Sequence, residues 1–251
     1  MTGLGTKGKL GIVFALREEE CGLAHALAES RSEMRLRDGC TAWSVGRLEV
    51  IAAVGGVGRH NCARATEMLI DRGAQWVIAA GFAAALDPVA RVGDVVAAER
   101  IVLGGDSHQP TYYSDGQLLS ALPPSNINPA FPIRACDLIT VDSVIKSAER
   151  KQAIFRATGA GALDMESHSA ARVCGERGIP FAAIRSISDC AGDTIPESIR
   201  ELMAVERGWR QSIYVASRPM IWRDVLDMRR RACLAANNLA DVLGMMLLRL
   251  I

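Results

Sequence analysis

Aromatic residues are scarce in this chain, at 5%, too few for the stacked platforms that hold single-stranded nucleic acid. Charge of one sign is also lacking. The formal net charge is +1, so no basic field marks a nucleic-acid surface. There are four histidines and no Cys-x-x-Cys pair, so no metal-ligand spacing exists and no metal site is expected. The seven cysteines, at 21, 40, 62, 136, 174, 190 and 233, are scattered and odd in number. They read as reduced thiols of a cytoplasmic protein. No run of eighteen apolar residues occurs, so no membrane-spanning segment is expected. The apolar run Leu10 to Leu16 follows Lys7 and Lys9, but it passes straight into Arg17-Glu18-Glu19-Glu20. That suits a first strand better than a targeting segment.

The composition that remains is 49% hydrophobic and 23% charged over 251 residues. That is enough for one large domain with a substantial core. Leu10 to Leu16, Trp76 to Ala80 and Phe181 to Ile187 are continuous apolar runs, as in strands covered on both faces. Thr41 to Val45 and Leu48 to Val54 suit a hairpin-like pair, and Val95 to Val102 and Asp137 to Val141 further strands. Helical spacing is expected over Glu18–Ala28, Arg59–Ile70, Ala148–Ala157 and Ser169–Arg177. From Ile221 to Met246, apolar residues recur in steps of three and four, which describes one long amphipathic helix. Residues 104 to 135 are rich in Gly, Pro, Ser and Asn and read as an irregular lid or interface loop. Strands alternating with helices predict a single α/β domain over 1–251. We expect three layers, α/β/α, around a mixed sheet, with a core over 10–192 and a helical C-terminal extension over 193–251.

Gly55-Gly56-Val57-Gly58 follows a strand and opens a helix. It reads as a tight turn, one that can also touch a ligand. The dinucleotide fingerprint fails, because position 61 is Asn, and no P-loop occurs. Gly81 reads as a turn after the Trp76 strand. Two apolar strands end in acidic stretches, Asp164-Met165-Glu166 and Ser188-Asp189. Neighbouring strand ends are where α/β sheets bind small molecules, and a carboxylate there needs a partner or a task. Taken singly, these residues have plainer readings. Glu18-Glu19-Glu20 suits a solvated helix start, Met165 a core position, Asp189 a turn or cap, and His168 packing.

The ordered set carries more. Ala15-Leu16-Arg17-Glu18-Glu19, Gly56-Val57-Gly58, Gly81-x-Ala83, Val92-Gly93-Asp94, Asp164-Met165-Glu166 and Arg185-x-x-Ser188-Asp189 together resemble the nucleoside phosphorylase superfamily. The nearest arm is similar to the methylthioadenosine/S-adenosylhomocysteine nucleosidases. Asp164-Met165-Glu166-Ser167-His168, Leu86-Asp87-Pro88 and an extension from Ser217-Arg218-Pro219 resemble the hopanoid-associated branch, which acts on adenosylhopane.

That resemblance implies an enzyme that breaks the N-glycosidic bond of an adenine nucleoside. It implies Glu19 as activator of the nucleophile and Asp189 as proton donor to the purine, with Ser188 positioning it. Met165 and Glu166 would hold the ribose. Val57, Phe82, Ala83, Ile145 and Ala191 would complete the substrate site, and Arg185 would support the strand end. No cofactor is implied, although inorganic phosphate could serve as co-substrate, with Arg17 and Arg59 as candidate ligands. The chemistry fits these roles. The leaving base needs a proton, and a strand-end Asp among apolar neighbours could carry one if burial raised its pKa. Carboxylates stabilise the oxocarbenium character that develops on the sugar.

One departure bears on the nucleophile. The nucleosidases usually have Gly-Ser-Ala-Gly where this chain has Gly81-Phe82-Ala83-Ala84, so a serine hydroxyl is missing. Water and phosphate both stay open. A methylthioadenosine/S-adenosylhomocysteine nucleosidase, a general purine nucleoside phosphorylase, and a non-catalytic nucleoside- or lipid-binding protein are the alternatives. The partners expected are a nucleoside or nucleoside-lipid and a second copy of the chain, as a homodimer or larger assembly. Trp222, Arg223 and Arg229 to Arg231 suggest peripheral contact with a membrane.

Overall fold

Alternation along the first strand sets the layers. In β1 (Gly8–Phe14), Leu10, Ile12 and Phe14 pack into one apolar cluster and Val13 into another. In β5 (Trp76–Ala85), Ile78 and Ala80 join the first cluster and Val77 and Ala79 the second. Successive side chains of a strand point to opposite faces, so both strands are covered on both sides. The computed structural model describes residues 8–27, 33–36, 39–105, 108–125, 132–204 and 221–251. Ser217-Arg218-Pro219 and parts of the 104 to 135 stretch lie outside them.

Helices α1 (Arg17–Ala26) and α7 (Trp222–Leu250) cover one face, and α2 (Arg59–Asp71) and α5 (Ser167–Arg177) the other. This is the three-layer α/β/α arrangement with a mixed sheet and a long C-terminal helix. The 29 residues of α7 are long and apolar enough to cross a membrane. Its apolar face is instead spent on the core, with Leu239, Val242, Met246 and Leu247 buried beside Leu23 of α1. The α1–α7 crossing is close because its seam is small. A Cβ on Gly22 would lie 2.7 Å from Ala240 Cβ, and one on Gly244 3.3 Å from Ala26 Cβ.

The sheet does more than separate layers. Strand β5 pairs in parallel with β10 (Phe181–Asp189), and β10 pairs antiparallel with β6 (Val95–Leu103). Strand β6 runs parallel to β8 (Ile133–Thr140), β8 runs parallel to β9 (Ala162–Asp164), and β9 returns antiparallel to β5. These five strands close a ring. From its β5 side the sheet continues through β1, β4 (Leu48–Val54), β3 (Thr41–Val45) and β2 (Glu33–Arg35).

Several sequence expectations are corrected. Gly81 is not a turn: β5 runs through it to Ala85, and Arg185 and Ser186 of β10 pair with Gly81 and Phe82. The ladder bonds available from β10 keep the strand extended there. The 104 to 135 stretch is not uniformly irregular. It carries β7 (Tyr112–Tyr113) paired with β6, then α3 (Gly116–Ser120), whose cap is Asp115 accepting from Gln117 N–H and Leu118 N–H. Strand β8 begins at Ile133 rather than Asp137, because β6 supplies a parallel partner from Val95 onward. Finally, the strands that precede Glu166 and Asp189 are not direct neighbours. Strand β5 lies between them, pairing with β9 at Ala84–Ala85 and with β10 along its length.

Candidate active site

Glu19 sits in the first turn of α1 and turns inward, 4% exposed. Its Oε2 accepts from Ala15 N–H and Leu16 N–H, each at 2.8 Å, and its Oε1 from Phe82 N–H at 2.8 Å. Three backbone donors thus fix one carboxylate. Glu18 beside it is exposed, and Glu20 accepts from Thr41 Oγ1. Successive helical residues point about 100° apart, so only one of the three glutamates can face inward here.

Glu166 is the N-cap of α5, 6% exposed. Its Oε1 accepts from Gly58 N–H at 2.8 Å and its Oε2 from Met165 N–H at 3.3 Å. The helix N-terminus favours the carboxylate there. Between the two glutamates lies Arg185, 1% exposed, on β10. Its Nη2 pairs with Asp164 at 2.6 Å and donates to Ser167 Oγ at 2.8 Å. Asp164 is held in turn by Thr140 Oγ1 at 2.7 Å and Ser167 N–H at 2.9 Å.

Gly81 makes this packing possible. A Cβ there would stand 2.7 Å from Glu19 Oε1 and closer still to the Arg185 guanidinium. Burial opposes the charge on Arg185, but Asp164, Glu166 and Glu19 outweigh it and keep it cationic. Burial also pushes the Glu19 carboxyl above its ordinary range, and Arg185 and the N–H groups of Phe82 and Leu16 only partly offset that. Glu166 is raised for the same first reason, with Arg185 again opposing. The centre therefore holds three carboxylates around one guanidinium. Carboxyl groups gathered in this way can stabilise a cation that develops beside them.

Asp189 ends β10, one residue beyond Ser188, whose Oγ donates to Asp189 Oδ1 at 2.9 Å. The expected setting among apolar neighbours is corrected. Its side chain is 30% exposed and its Oδ2 pairs with the fully buried Lys151 of α4 (Ala148–Thr158). Burial instead raises Glu19 and Glu166.

Of the remaining candidates, Met165 is half-buried between Asp164 and Glu166, and Val57 is exposed in the Gly56–Gly58 turn. Phe82 is half-buried and Ala83 buried on β5. Ile145 packs with Leu86, Ile139 and Leu163, and Ala191 is buried just past Asp189. The two candidate phosphate ligands are placed less favourably. Arg59 is engaged by Asp142 at 2.6 Å, and Arg17 is exposed on α1. Gly58 N–H, a donor an anion would use, is taken by Glu166. His168 is buried, its Nε2 2.9 Å from the Pro110 carbonyl and its ring edge-on to Tyr112. Among the described residues no group of three or more His, Cys, Asp or Glu is arranged to hold a metal.

Sequence reasoning gave no role to Asp164, Thr140, Ser167 or Lys151. One signal was available for Lys151. It stands three and four residues before Ile154 and Phe155, which pack beside Ile139 and Leu163, so it lies on the inward stripe of α4.

A closed α/β sheet with buried carboxylates at its strand ends is the scaffold of an enzyme that works on a small molecule. The model of the Phosphorylase superfamily matches residues 9–214. A 5'-methylthioadenosine/S-adenosylhomocysteine nucleosidase of Marinomonas sp. (strain MWYL1) is 30% identical over 216 residues, 78% of this chain and 92% of that protein. An aminodeoxyfutalosine nucleosidase of Helicobacter pylori is 26% identical over 78% of this chain and 91% of its own. The fold matches the crystal structure of the Helicobacter pylori 5'-methylthioadenosine/S-adenosylhomocysteine nucleosidase with butyl-thio-DADMe-Immucillin-A. The TM-score is 0.72, with 21% identity over 95% of this chain and 97% of that one. This chain belongs to the phosphorylase superfamily, as an enzyme that cleaves an N-glycosidic bond.

Proposed function

We propose that the chain releases adenine from an adenine nucleoside by attack of water, and that the nucleoside is adenosylhopane. The observation that carries the first part is the buried centre in which Glu19, Asp164 and Glu166 surround Arg185. Carboxyl groups clustered there suit a ribosyl group that becomes cationic as the bond breaks. Glu166 accepts the ribose hydroxyls. Glu19 orients the attacking water and takes its proton, a task suited to a carboxylate whose proton affinity burial has raised. The missing serine is offset by the main chain, since Phe82 N–H holds Glu19 whatever its side chain. Asp189, whose side chain is open to water, takes up a proton from solvent and passes it to the base. The nucleosidase names of the relatives support adenine as the base and water as the nucleophile. So does the engagement of Arg59 by Asp142 and of Gly58 N–H by Glu166.

The hopanoid reading rests on the Asp164 to His168 and Leu86 to Pro88 resemblance. It is in keeping with α7, which exposes Leu226 and Leu234 beside the exposed Arg223, Arg229 and Arg230. An apolar and basic face of that kind suits a membrane surface, where such a lipid resides.

The test is release of adenine from adenosylhopane, methylthioadenosine and S-adenosylhomocysteine, with inosine as control, with and without inorganic phosphate. Adenine release that needs no phosphate, fastest from adenosylhopane, is expected. No release from any of them would sink the activity. Faster turnover of methylthioadenosine would replace the substrate, and dependence on phosphate would replace the nucleophile.

A further inference from the structure

Lys151 is fully buried, and its ammonium is directed at the end of β10 and the residue after it. An ammonium is costly to bury unless it is paired and hydrogen-bonded. Its Nζ forms an ion pair with Asp189 Oδ2 and donates to the Cys190 carbonyl at 2.8 Å. The same end of α4 grips the chain that follows Asp189. Ala148 N–H donates to Thr194 Oγ1 at 3.3 Å, and Ile195 N–H to the Lys146 carbonyl at 2.9 Å. On the other side of the carboxylate, Ser188 Oγ donates to Oδ1 at 2.9 Å and has the Ala83 carbonyl as a second acceptor at 3.4 Å.

We propose that Lys151 is the positioning residue for the leaving-group proton. It holds Asp189 by Oδ2 so that Oδ1 is presented to the base, and it neutralises the carboxylate that remains once the proton has gone. This rests on the nucleoside-cleaving reading above. In the step, the proton on Oδ1 passes to a ring nitrogen of the purine as the C1′–N9 bonding pair moves onto the base. Asp189 becomes a carboxylate beside Nζ. Ser188 Oγ faces the Ala83 carbonyl while Oδ1 carries the proton and turns to Oδ1 as the carboxylate forms. After the base leaves, Asp189, 30% exposed, regains a proton from water. Lys151 keeps its protons throughout and meets neither sugar nor base.

A fixed buried charge of this kind is worth about a hundredfold or more in rate, and only where charge develops next to it. The effect of removing Lys151 should therefore depend on the leaving group. Lys151→Met is assayed on two substrates. One is whichever of methylthioadenosine and adenosylhopane the wild type cleaves. The other is a 4-nitrophenyl riboside with the same 5′-group, whose phenolate departs without a proton. Adenine release should fall about a hundredfold while nitrophenolate release holds. The ratio of the two within one preparation does not depend on the folded fraction. Equal falls, or no fall, would overturn the proposal. If Lys151→Met does not fold, Lys151→Met with Asp189→Asn removes both charges together, which buried pairs tolerate far better than loss of one partner. That double variant should match Asp189→Asn alone on both substrates, and a further fall in nitrophenolate release would overturn the proposal. A wild type that releases adenine from neither nucleoside would instead defeat the nucleosidase reading itself.

Discussion

Gly58 donates its backbone N–H to Glu166 Oε1 at 2.8 Å, across 108 positions of sequence. The turn after β4 and the N-terminus of α5 are thereby joined at one carboxylate oxygen. Gly58 holds φ at 99°, and a Cβ there would meet nothing within 4 Å. The need for glycine is thus conformational and not steric. Gly58→Ala should cost about 1–3 kcal/mol of stability and shift the amide off Glu166. Thermal melts would show the first effect. A raised KM with a smaller change in kcat would show the second.

Gly81 makes the opposite case, since its space is filled by function. Gly81→Ala would drive a methyl group into Glu19 and Arg185. Overpacking of this kind costs about 1–3 kcal/mol. Here it also breaks the Phe82 to Glu19 bond, so kcat should fall much further than stability explains. A Gly81→Ala protein that folds and keeps wild-type kcat would show that Glu19 needs no fixed orientation.

Glu19→Gln separates activity from stability. Loss of the base should lower kcat by about 10²–10⁴. Burial has raised the Glu19 carboxyl above its ordinary value of 4.5. The folded protein therefore binds a proton that the unfolded chain has already released, and stability falls as pH rises from that ordinary value through the raised one. The amide escapes this cost. Melting curves at pH 5 and pH 8 should show Glu19→Gln gaining on the wild type at the higher pH.

Asp164 bears on Arg185 more than on substrate. Asp164→Asn leaves the buried guanidinium without its 2.6 Å partner, a change that costs about 3–5 kcal/mol. Denaturant titration should register it before any assay does. A loss below about 1 kcal/mol, the worth of an exposed pair, would mean that Glu19 and Glu166 alone hold the arginine.

Arg59 should prove dispensable. Its partner Asp142 has a side chain 67% exposed, and surface pairs of that kind contribute about 0–1 kcal/mol. Arg59→Ala should leave adenine release and its independence of phosphate unchanged. A large loss appearing only in phosphate buffer would return Arg59 to the nucleophile's binding site.

The layer order and most of the elements were legible in the sequence. Leu10, Ile12 and Phe14 against Val13, and the three-and-four spacing of α7, follow from side-chain periods that hold in any fold. The ordered acidic motifs also located Glu19, Glu166 and Asp189. Without that resemblance, nothing in the run itself told which of three adjacent glutamates turns inward, because that depends on Phe82 N–H of β5, 63 positions away. Gly81 resembled a turn because its partner strand β10 lies about a hundred residues further on. Asp164 stood only as a motif's first letter, and Lys151 drew no reading at all. The sequence by itself determined the strands, the helices and the acidic residues that end them. Closure of the β5–β10–β6–β8–β9 ring decided which of those residues meet. It also set Arg185 among three carboxylates and Lys151 behind Asp189. Charges at such short range in a dry interior act through distance and burial, and neither is written in sequence spacing.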